Sequence, residues 1–572
     1  MESDSVTAPA RGPAFGLGKL LDVAGGSHAR AAALLIGLSL AALLPGFFQI
    51  PPVDRDEARF AQATKQMVES GDYVDIRFQD EVRYKKPVGI YWLQTAAVKA
   101  GDAIGIQNAH RTIWLYRLPS MVGAIGAVLL TYWAALAFIT RRGAFLAALM
   151  MTTSVLLGIE ARLAKTDAML LLTCVAAMGA MARVYLTRRR FPEAPIGWTL
   201  PAIFWTALAG GVLLKGPLIL MFVALTALAV SLLDRTGRWI WGLKPIPGLI
   251  WMIALVLPWF VAIAVKSGDN FFAQSVGEDM LAKVASGQEA HGAPPGYYLV
   301  LFWITFWPGA VLAGLAAPAV WRARKEAGAQ FLLAWLIPSW IVFEIVMTKL
   351  PHYVLPLYPA IAILIAGVLD HDGLAKKPWM VYGTIGWFLF PLAMALAALA
   401  GMITIGRDPG FLAWPFAAGA VIMGLVAWWL YEADGAERSL LRGMVASALV
   451  AITVYAVTFA SLPALFPSAI LSEELRDARC SPRVVAAAGY QEPSLVFLVG
   501  TDTRFVTGAA AADVLKQDGC RFAIVEGRSE RGFVQRADVI GLRYTLIRRI
   551  EAYNISIGRP VTLSLFRSAE TQ

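Results

Sequence analysis

The stretch AAALLIGLSLAALLPGFFQI (31–50) runs directly into PPVDRDEARF (51–60). A helix of about twenty apolar residues reaches across the hydrocarbon core of a bilayer. Acids and arginines crowd the residues that follow, and charge beside a span end is costly unless it is solvated or paired. The junction therefore reads as a membrane helix emerging into a polar loop. Apolar runs of similar length recur to about residue 465. Thirteen are read, centred near Leu40, Val128, Met150, Val175, Trp205, Ala224, Ala254, Ile304, Leu336, Ile361, Phe390, Val421 and Val450. Lys215-Gly216-Pro217 separates the fifth from the sixth.

Composition agrees with this reading. Of 572 residues, 58% are hydrophobic and 16% charged, an apolar shift beyond soluble globular chains. The formal net charge is +10, but the basic residues sit in short clusters between apolar runs and match no nucleic-acid-binding motif. They fall at Arg141-Arg142, Arg188-Arg189-Arg190, Arg235 with Arg238 and Lys244, Arg322-Ala323-Arg324-Lys325, Lys376-Lys377, and Arg438 with Arg442. The positive-inside rule puts this set, and the N-terminus, in the cytoplasm. The first thirty residues are polar, so the first apolar run reads as a retained span and not as a cleaved signal. An odd number of spans puts the C-terminus outside, with the loops at 51–114 and 266–296.

From about residue 468 the composition changes. Residues 495–500, 522–526, 544–550 and 561–566 read as strands, and 507–517 and 530–539 as helices, which predicts a small outer α/β domain. Asn554-Ile555-Ser556 is a glycosylation sequon by pattern. Cys480 and Cys520 both fall in this segment and are expected to form a disulfide in an oxidising compartment, closing a loop of about forty residues worth roughly 3–4 kcal/mol. Cys174 lies in an apolar run and reads as a core residue.

Candidate chemistry gathers on the outer side. Asp56 and Glu57 open an amphipathic helix carrying Arg59, with Phe60, Thr64, Met67 and Val68 on one face. As a bland alternative, these acids serve only the helix dipole. Tyr84-Lys85-Lys86-Pro87 reads as an interface anchor or a phosphate contact. Three further sites put charge beside apolar runs: Arg162-Leu163-Ala164-Lys165-Thr166-Asp167, Leu214-Lys215-Gly216-Pro217, and Lys349-Leu350-Pro351-His352-Tyr353-Val354-Leu355-Pro356. Ionisable residues at membrane depth are functional candidates. Acids near cations suit a phosphate-bearing lipid with a base close by.

At these positions the chain resembles bacterial relatives of the protein O-mannosyltransferases, closest to the lipid A aminoarabinose transferase family. The resemblance rests on Asp-Glu-x-Arg at Asp56, Lys-Pro at Lys86, Asp167 at a span entrance, Lys-Gly at Lys215 and Lys-Leu-Pro-x-Tyr-x-Leu-Pro at Lys349. It implies the GT-C fold: about thirteen membrane helices (31–467) after a cytoplasmic segment (1–30), with interfacial helices in the loop 51–114 and a periplasmic α/β domain (468–572). It implies a glycosyltransferase of the inner membrane that takes a sugar from a polyprenyl-phosphate donor to lipid A or another cell-envelope glycolipid or glycan. Asp56 is then the key acid, Asp167 and Glu57 further acids, and Arg59, Lys86, Lys215, Lys349, His352 and Tyr353 the substrate contacts. Transfer to protein side chains is the alternative acceptor class, and a lipid or solute transporter the alternative outside enzymes. The sequence requires no cofactor. Some relatives bind a divalent metal through an acid before the Lys-Pro pair and a histidine in a later loop. Here Lys85 and Asp279 take those places, and an ion pair between them is expected to replace the metal, although Glu289 and His291 could rebuild such a site.

Overall fold

The computed structural model describes residues 18–268, 270–274, 292–477, 480 and 482–569. Asp279, Glu289 and His291, and with them the expected Lys85–Asp279 pair, lie outside the described residues. The chain is mostly helical. Among the described residues, seven helices are long and apolar enough to cross a membrane, or nine if each of two bent pairs is one span. Four shorter apolar helices accompany them: His28–Leu43, Thr199–Lys215, Leu218–Leu233 and Trp414–Trp429. Each apolar run read from the sequence falls on one of these elements.

The breaks have local causes. Thr199–Lys215 ends at Gly216, whose φ of 68° and ψ of −145° are open to glycine almost alone, and Pro217 then precedes Leu218–Leu233. That turn sets the Lys215 side chain at a helix end. Arg141–Thr153 and Val155–Ala161 meet at 61° across Ser154. Close backbone approach fixes the elements around Lys215 and Asp167. A Cβ on Gly123 would stand 2.8 Å from the backbone nitrogen of Met169, and one on Gly89 would stand 2.7 Å from the Leu213 carbonyl oxygen. Side chains larger than hydrogen there would push the Lys86 loop from the Lys215 helix and the Asp167 helix from its neighbour Ile113–Ala135.

Two lesser β elements complete the chain. A short hairpin, β1 (Arg77–Phe78) with β2 (Glu81–Val82), lies in the first loop. Residues beyond the last span build a five-stranded sheet of order β4-β3-β5-β7-β6, from β3 (Arg483–Ala488), β4 (Arg504–Val506), β5 (Cys520–Glu526), β6 (Tyr544–Asn554) and β7 (Arg559–Ser568). β3 pairs in parallel with β4 and β5, and β7 runs antiparallel between β5 and β6. Gly508–Lys516 and Gly527–Ile540 are helices in the expected places.

One strand reading is corrected. The run at 495–500 belongs to a helix, Pro493–Val499. It is buried through Phe497 with no alternation, so periodicity could not separate strand from helix, and Pro493 at the first turn favours the helix. β3 escaped the sequence reading because its alanines carry little strand signal.

Cys480 and Cys520 form a disulfide with Cα atoms 5.6 Å apart. It ties the chain ahead of β3 to the first residue of β5. Cys480→Ser should lower the stability of the C-terminal unit by roughly 3–4 kcal/mol. A thermal unfolding midpoint equal to wild type under non-reducing conditions would refute this.

Candidate functional site

The helix Asp56–Ser70 begins at Arg55, a non-glycine residue with φ 68°. Such a backbone costs about 1–3 kcal/mol unless its surroundings hold it. Asp56 and Glu57 lie in the first turn, where carboxylates favour the helix dipole, but they face opposite surroundings. Asp56 is exposed. Glu57 is 2% exposed and turned into the protein. Arg117 Nε and Nη2 each donate to its carboxylate at 2.8 Å, and the backbone amides of Val53 and Ala164 donate at 2.8 and 2.9 Å. The remaining Arg117 bonds go to the carbonyls of Phe47, Ile50 and Pro51. With its acceptor sites taken, Glu57, expected as a catalytic acid, anchors the Asp56 helix to Arg117.

A second set of charges gathers where three membrane helices meet. Asp167 opens Asp167–Arg190, Lys215 closes Thr199–Lys215, and His352 and Tyr353 sit in the 3-10 turn Pro351–Leu357. Lys215 pairs with Asp167 and stands 5.5 Å from the centre of the Tyr353 ring. His352 Nε2 is 3.7 Å from Asp167, and its Nδ1 is 3.7 Å from Glu160. Lys165 reaches Glu160 at 3.2 Å and Asp167 at 3.7 Å. Two carboxylates thus face two ammonium groups, nearly all out of water. Removing one member leaves an uncompensated charge, which is why the set must be read as a unit. Lys86, half-buried, contributes to the field at His352, and Asp56 to the field at Lys165. Arg59 is half-buried on the Asp56 helix.

Glu160, Asp167 and His352 offer ligand atoms within 4.8 Å of one another, and Glu160 Oε2 is buried without a hydrogen-bond partner. Those donor types suit a divalent cation. However, Lys165 and Lys215 already neutralise the same carboxylates, and a dication would meet both ammonium groups. The cluster is balanced as it stands.

Lys349 does not join it. Its ammonium donates to the carbonyls of Phe343, Glu344 and Val346 at 3.2, 2.8 and 2.7 Å, closing the end of Ala327–Ile345. All three donors of this residue, expected as a substrate contact, are spent on those carbonyls. Of the residues expected together, the structure gathers Asp167, Lys215, His352 and Tyr353. Glu160, Lys165 and Arg117 were not assigned from sequence. The available signal was a charge inside an apolar run, at Glu160 and at Arg117.

The C-terminal unit rests on the helix that carries Asp56. Lys65 donates to the Phe497 carbonyl at 3.0 Å, Gln62 to Thr501 at 2.9 Å, and Gln79 to the carbonyls of Thr501 and Thr503. Burial pulls the Lys65 ammonium down to about 8. Asp54 accepts from the Ser494 amide at 2.9 Å. Burial, and then the neighbouring Glu492 charge, push the Asp54 carboxyl up to about 7.

The family described as "Dolichyl-phosphate-mannose-protein mannosyltransferase" matches residues 36–269, which include Asp56, Lys86, Asp167 and Lys215. The "Undecaprenyl phosphate-alpha-4-amino-4-deoxy-L-arabinose arabinosyl transferase" of Pectobacterium carotovorum subsp. carotovorum (strain PC1) is 27% identical over 364 residues, 60% of each chain. The enzyme of the same name from Pseudomonas aeruginosa (strain LESB58) is 26% identical over 456 residues, 77% of each chain. The crystal structure of ArnT from Cupriavidus metallidurans bound to undecaprenyl phosphate superposes with a TM-score of 0.70 at 17% identity, covering 95% of this chain and 98% of that one. At that identity the superposition establishes the fold.

Arg117→Met should destabilise the protein by about 3–5 kcal/mol, because Glu57 is left buried and unpaired. Adding Glu57→Gln should recover part of the loss. Unfolding midpoints in detergent decide it, and a single variant as stable as wild type would refute the anchor. Asp54 gives a second expectation. Its folded-state value of about 7 lies above its ordinary 3.8, so the folded protein holds the proton longer than the unfolded chain. Stability should therefore fall as pH rises from about 4 to about 7 and then level. Asp54→Asn should remove that component, measured as the wild-type-minus-variant difference in midpoint between pH 5 and pH 8.

Proposed function

We propose that this chain, a GT-C glycosyltransferase close to the aminoarabinose transferase family, transfers a pentose from undecaprenyl phosphate to lipid A or a related envelope glycolipid. It is a multi-pass protein of the bacterial inner membrane. On this reading the four shorter apolar helices among the described residues cross as well as the seven longer ones and the two bent pairs, which supports thirteen crossings. The basic loops then lie in the cytoplasm and the C-terminus outside. Residues 31–467 form the membrane-embedded catalytic domain and 468–572 the outer domain, with the chemistry at the outer face. Nucleotide sugars are absent there, so an activated sugar must arrive on a lipid.

The observation that carries this reading is the buried, charge-balanced cluster of Glu160, Asp167, Lys165 and Lys215 with His352, whose Lys165 feels the charge of an exposed Asp56. As the glycosidic bond breaks, charge develops on the lipid phosphate. Fixed cations stabilise it without reorganising, and Lys215, Arg59 and Lys86 are the cations at hand, with Tyr353 beneath Lys215. Asp167 holds the Lys215 ammonium in place. Asp56 faces the sugar. For a hydroxyl acceptor it takes the proton; for a phosphate acceptor, already anionic, it orients the sugar and offsets positive charge at the anomeric carbon. Attack from the face opposite the departing phosphate inverts that carbon.

The match to the protein mannosyltransferase family favours a second acceptor class, protein side chains. Supplying radiolabelled undecaprenyl-phosphate sugar to membranes separates the two, because label enters either a lipid-extractable product or protein.

Asp56→Asn should lower turnover by roughly 10²–10⁴-fold with donor binding intact, and wild-type turnover would remove Asp56 from the mechanism. Arg59→Ala and Lys215→Ala should weaken donor binding by roughly 10- to 100-fold, the worth of a charged hydrogen bond. Normal donor affinity in both would mean the phosphate sits elsewhere.

A further inference from the structure

Asp56 stands between residues whose side chains are all committed. Asp54 is bonded to Ser494, and Glu57 to Arg117. Arg55, the residue with the left-handed backbone, donates through Nη2 to the carbonyl oxygen of Ser556. Ser556 lies 501 positions away in sequence, at the tip of the β6–β7 hairpin.

The tip is itself fastened. Asn554 Oδ1 accepts from the Ser556 amide at 2.9 Å and the Ile557 amide at 3.4 Å, which shapes the turn. Asn554 Nδ2 donates to Glu492 Oε1 at 2.8 Å, and Ser556 Oγ donates to Glu492 Oε2 at 2.9 Å. Asn554 is 5% exposed and Glu492 8%. Glu492 lies two residues before Ser494, the partner of Asp54. One buried carboxylate therefore holds the hairpin tip beside the segment that grips the Asp56 loop. The asparagine of the sequon pattern is thus buried, with its side-chain amide bonded to Glu492.

We infer that Glu492, Asn554 and Ser556 are positioning residues for the transfer reaction, forming a clamp that holds Arg55 in its turn and so aims the Asp56 carboxylate. The inference rests on the role proposed for Asp56. The outer domain thereby supplies part of the active-site geometry from the far end of the chain. A non-glycine residue keeps a left-handed backbone only where its surroundings over-determine it, and the carbonyl of Ser556 is the group that holds the Arg55 side chain. Lys215 lies on another helix and is held by Asp167, outside this clamp, so loss of the clamp should act chiefly on turnover and leave donor affinity near wild type.

The test uses the full-length protein in proteoliposomes with undecaprenyl-phosphate sugar, measuring kcat, donor KM and unfolding midpoint. Arg55→Gly is the central variant. Glycine adopts the same φ without strain, so the turn remains allowed while the tether is gone. Arg55→Gly, Asn554→Ala and Glu492→Gln should each lower kcat by roughly 10- to 100-fold, the effect of a misplacement near 1 Å, with donor KM within about threefold of wild type. Arg55→Lys, which can still reach the carbonyl, should restore part of the rate. A purely structural role would instead lower the midpoint and leave the rate per folded molecule unchanged. If Asn554→Ala or Glu492→Gln does not fold, the two Arg55 variants decide. Near-wild-type kcat in Arg55→Gly, with Asp56→Asn inactive, overturns the clamp alone. Activity in Asp56→Asn overturns the role of Asp56 and the clamp with it.

Discussion

The arrangement around Asp56 depends on one guanidinium placed where water does not reach. Arg117 sits inside an apolar helix, 1% exposed. A charge there is tolerable only if paired and fully bonded. Its five bonds supply that, and in doing so gather the turn after the first apolar helix (Phe47, Ile50), the start of the loop (Pro51) and the Asp56 helix through Glu57. Glu57 then bonds the Ala164 amide, three residues before Asp167. The loop bearing the exposed acid and the turn leading into the buried cluster are thus joined through a single ion pair. Its two partners lie sixty residues apart in sequence.

Charge balance extends the same logic to the cluster. Glu160 and Asp167 are countered by Lys165 and Lys215, and His352 lies between the two acids at equal distance. Such a set is stable only as a whole. It fixes the position of Lys215, the form of preorganisation that the proposed transfer requires. The close contacts of Gly89 with Leu213 and of Gly123 with Met169 perform the mechanical half of this task, letting the helices Gly89–Ala103 and Ile113–Ala135 pack at backbone distance on those that carry Lys215 and Asp167 respectively.

Two residues expected at the site, Glu57 and Lys349, are bonded within the protein instead. Each is a charged side chain beside an apolar run, which in sequence looks the same whether it awaits a ligand or closes a structural gap. Glu57 is adjacent to Asp56 and was indistinguishable from it by type. Helix phase separates them: at 100° per residue, one carboxylate points to solvent and the next toward Arg117. Lys349 begins the motif that contains His352 and Tyr353, yet it folds back onto three carbonyls left open where Ala327–Ile345 ends. The helix at Pro493–Val499 was misread for a different reason, because a short, wholly apolar segment carries no period to read.

What the sequence by itself determined follows from composition along the chain. Runs of apolar residues near twenty long declare helices apolar enough to cross a membrane, and two cysteines in a polar segment declare a bridge. These are local or additive properties, and a one-dimensional reading reaches them. Asp167, Lys215, His352 and Tyr353 were also legible, because charge next to hydrocarbon is conspicuous wherever it occurs. Only the tertiary structure decided which charges neutralise one another. It alone brought Glu160 and Lys165 into the cluster, committed Glu57 to Arg117, and carried Ser556 across the whole chain to Arg55. Pairing depends on three-dimensional distance, and no order of residues along a line specifies that until the helices have packed.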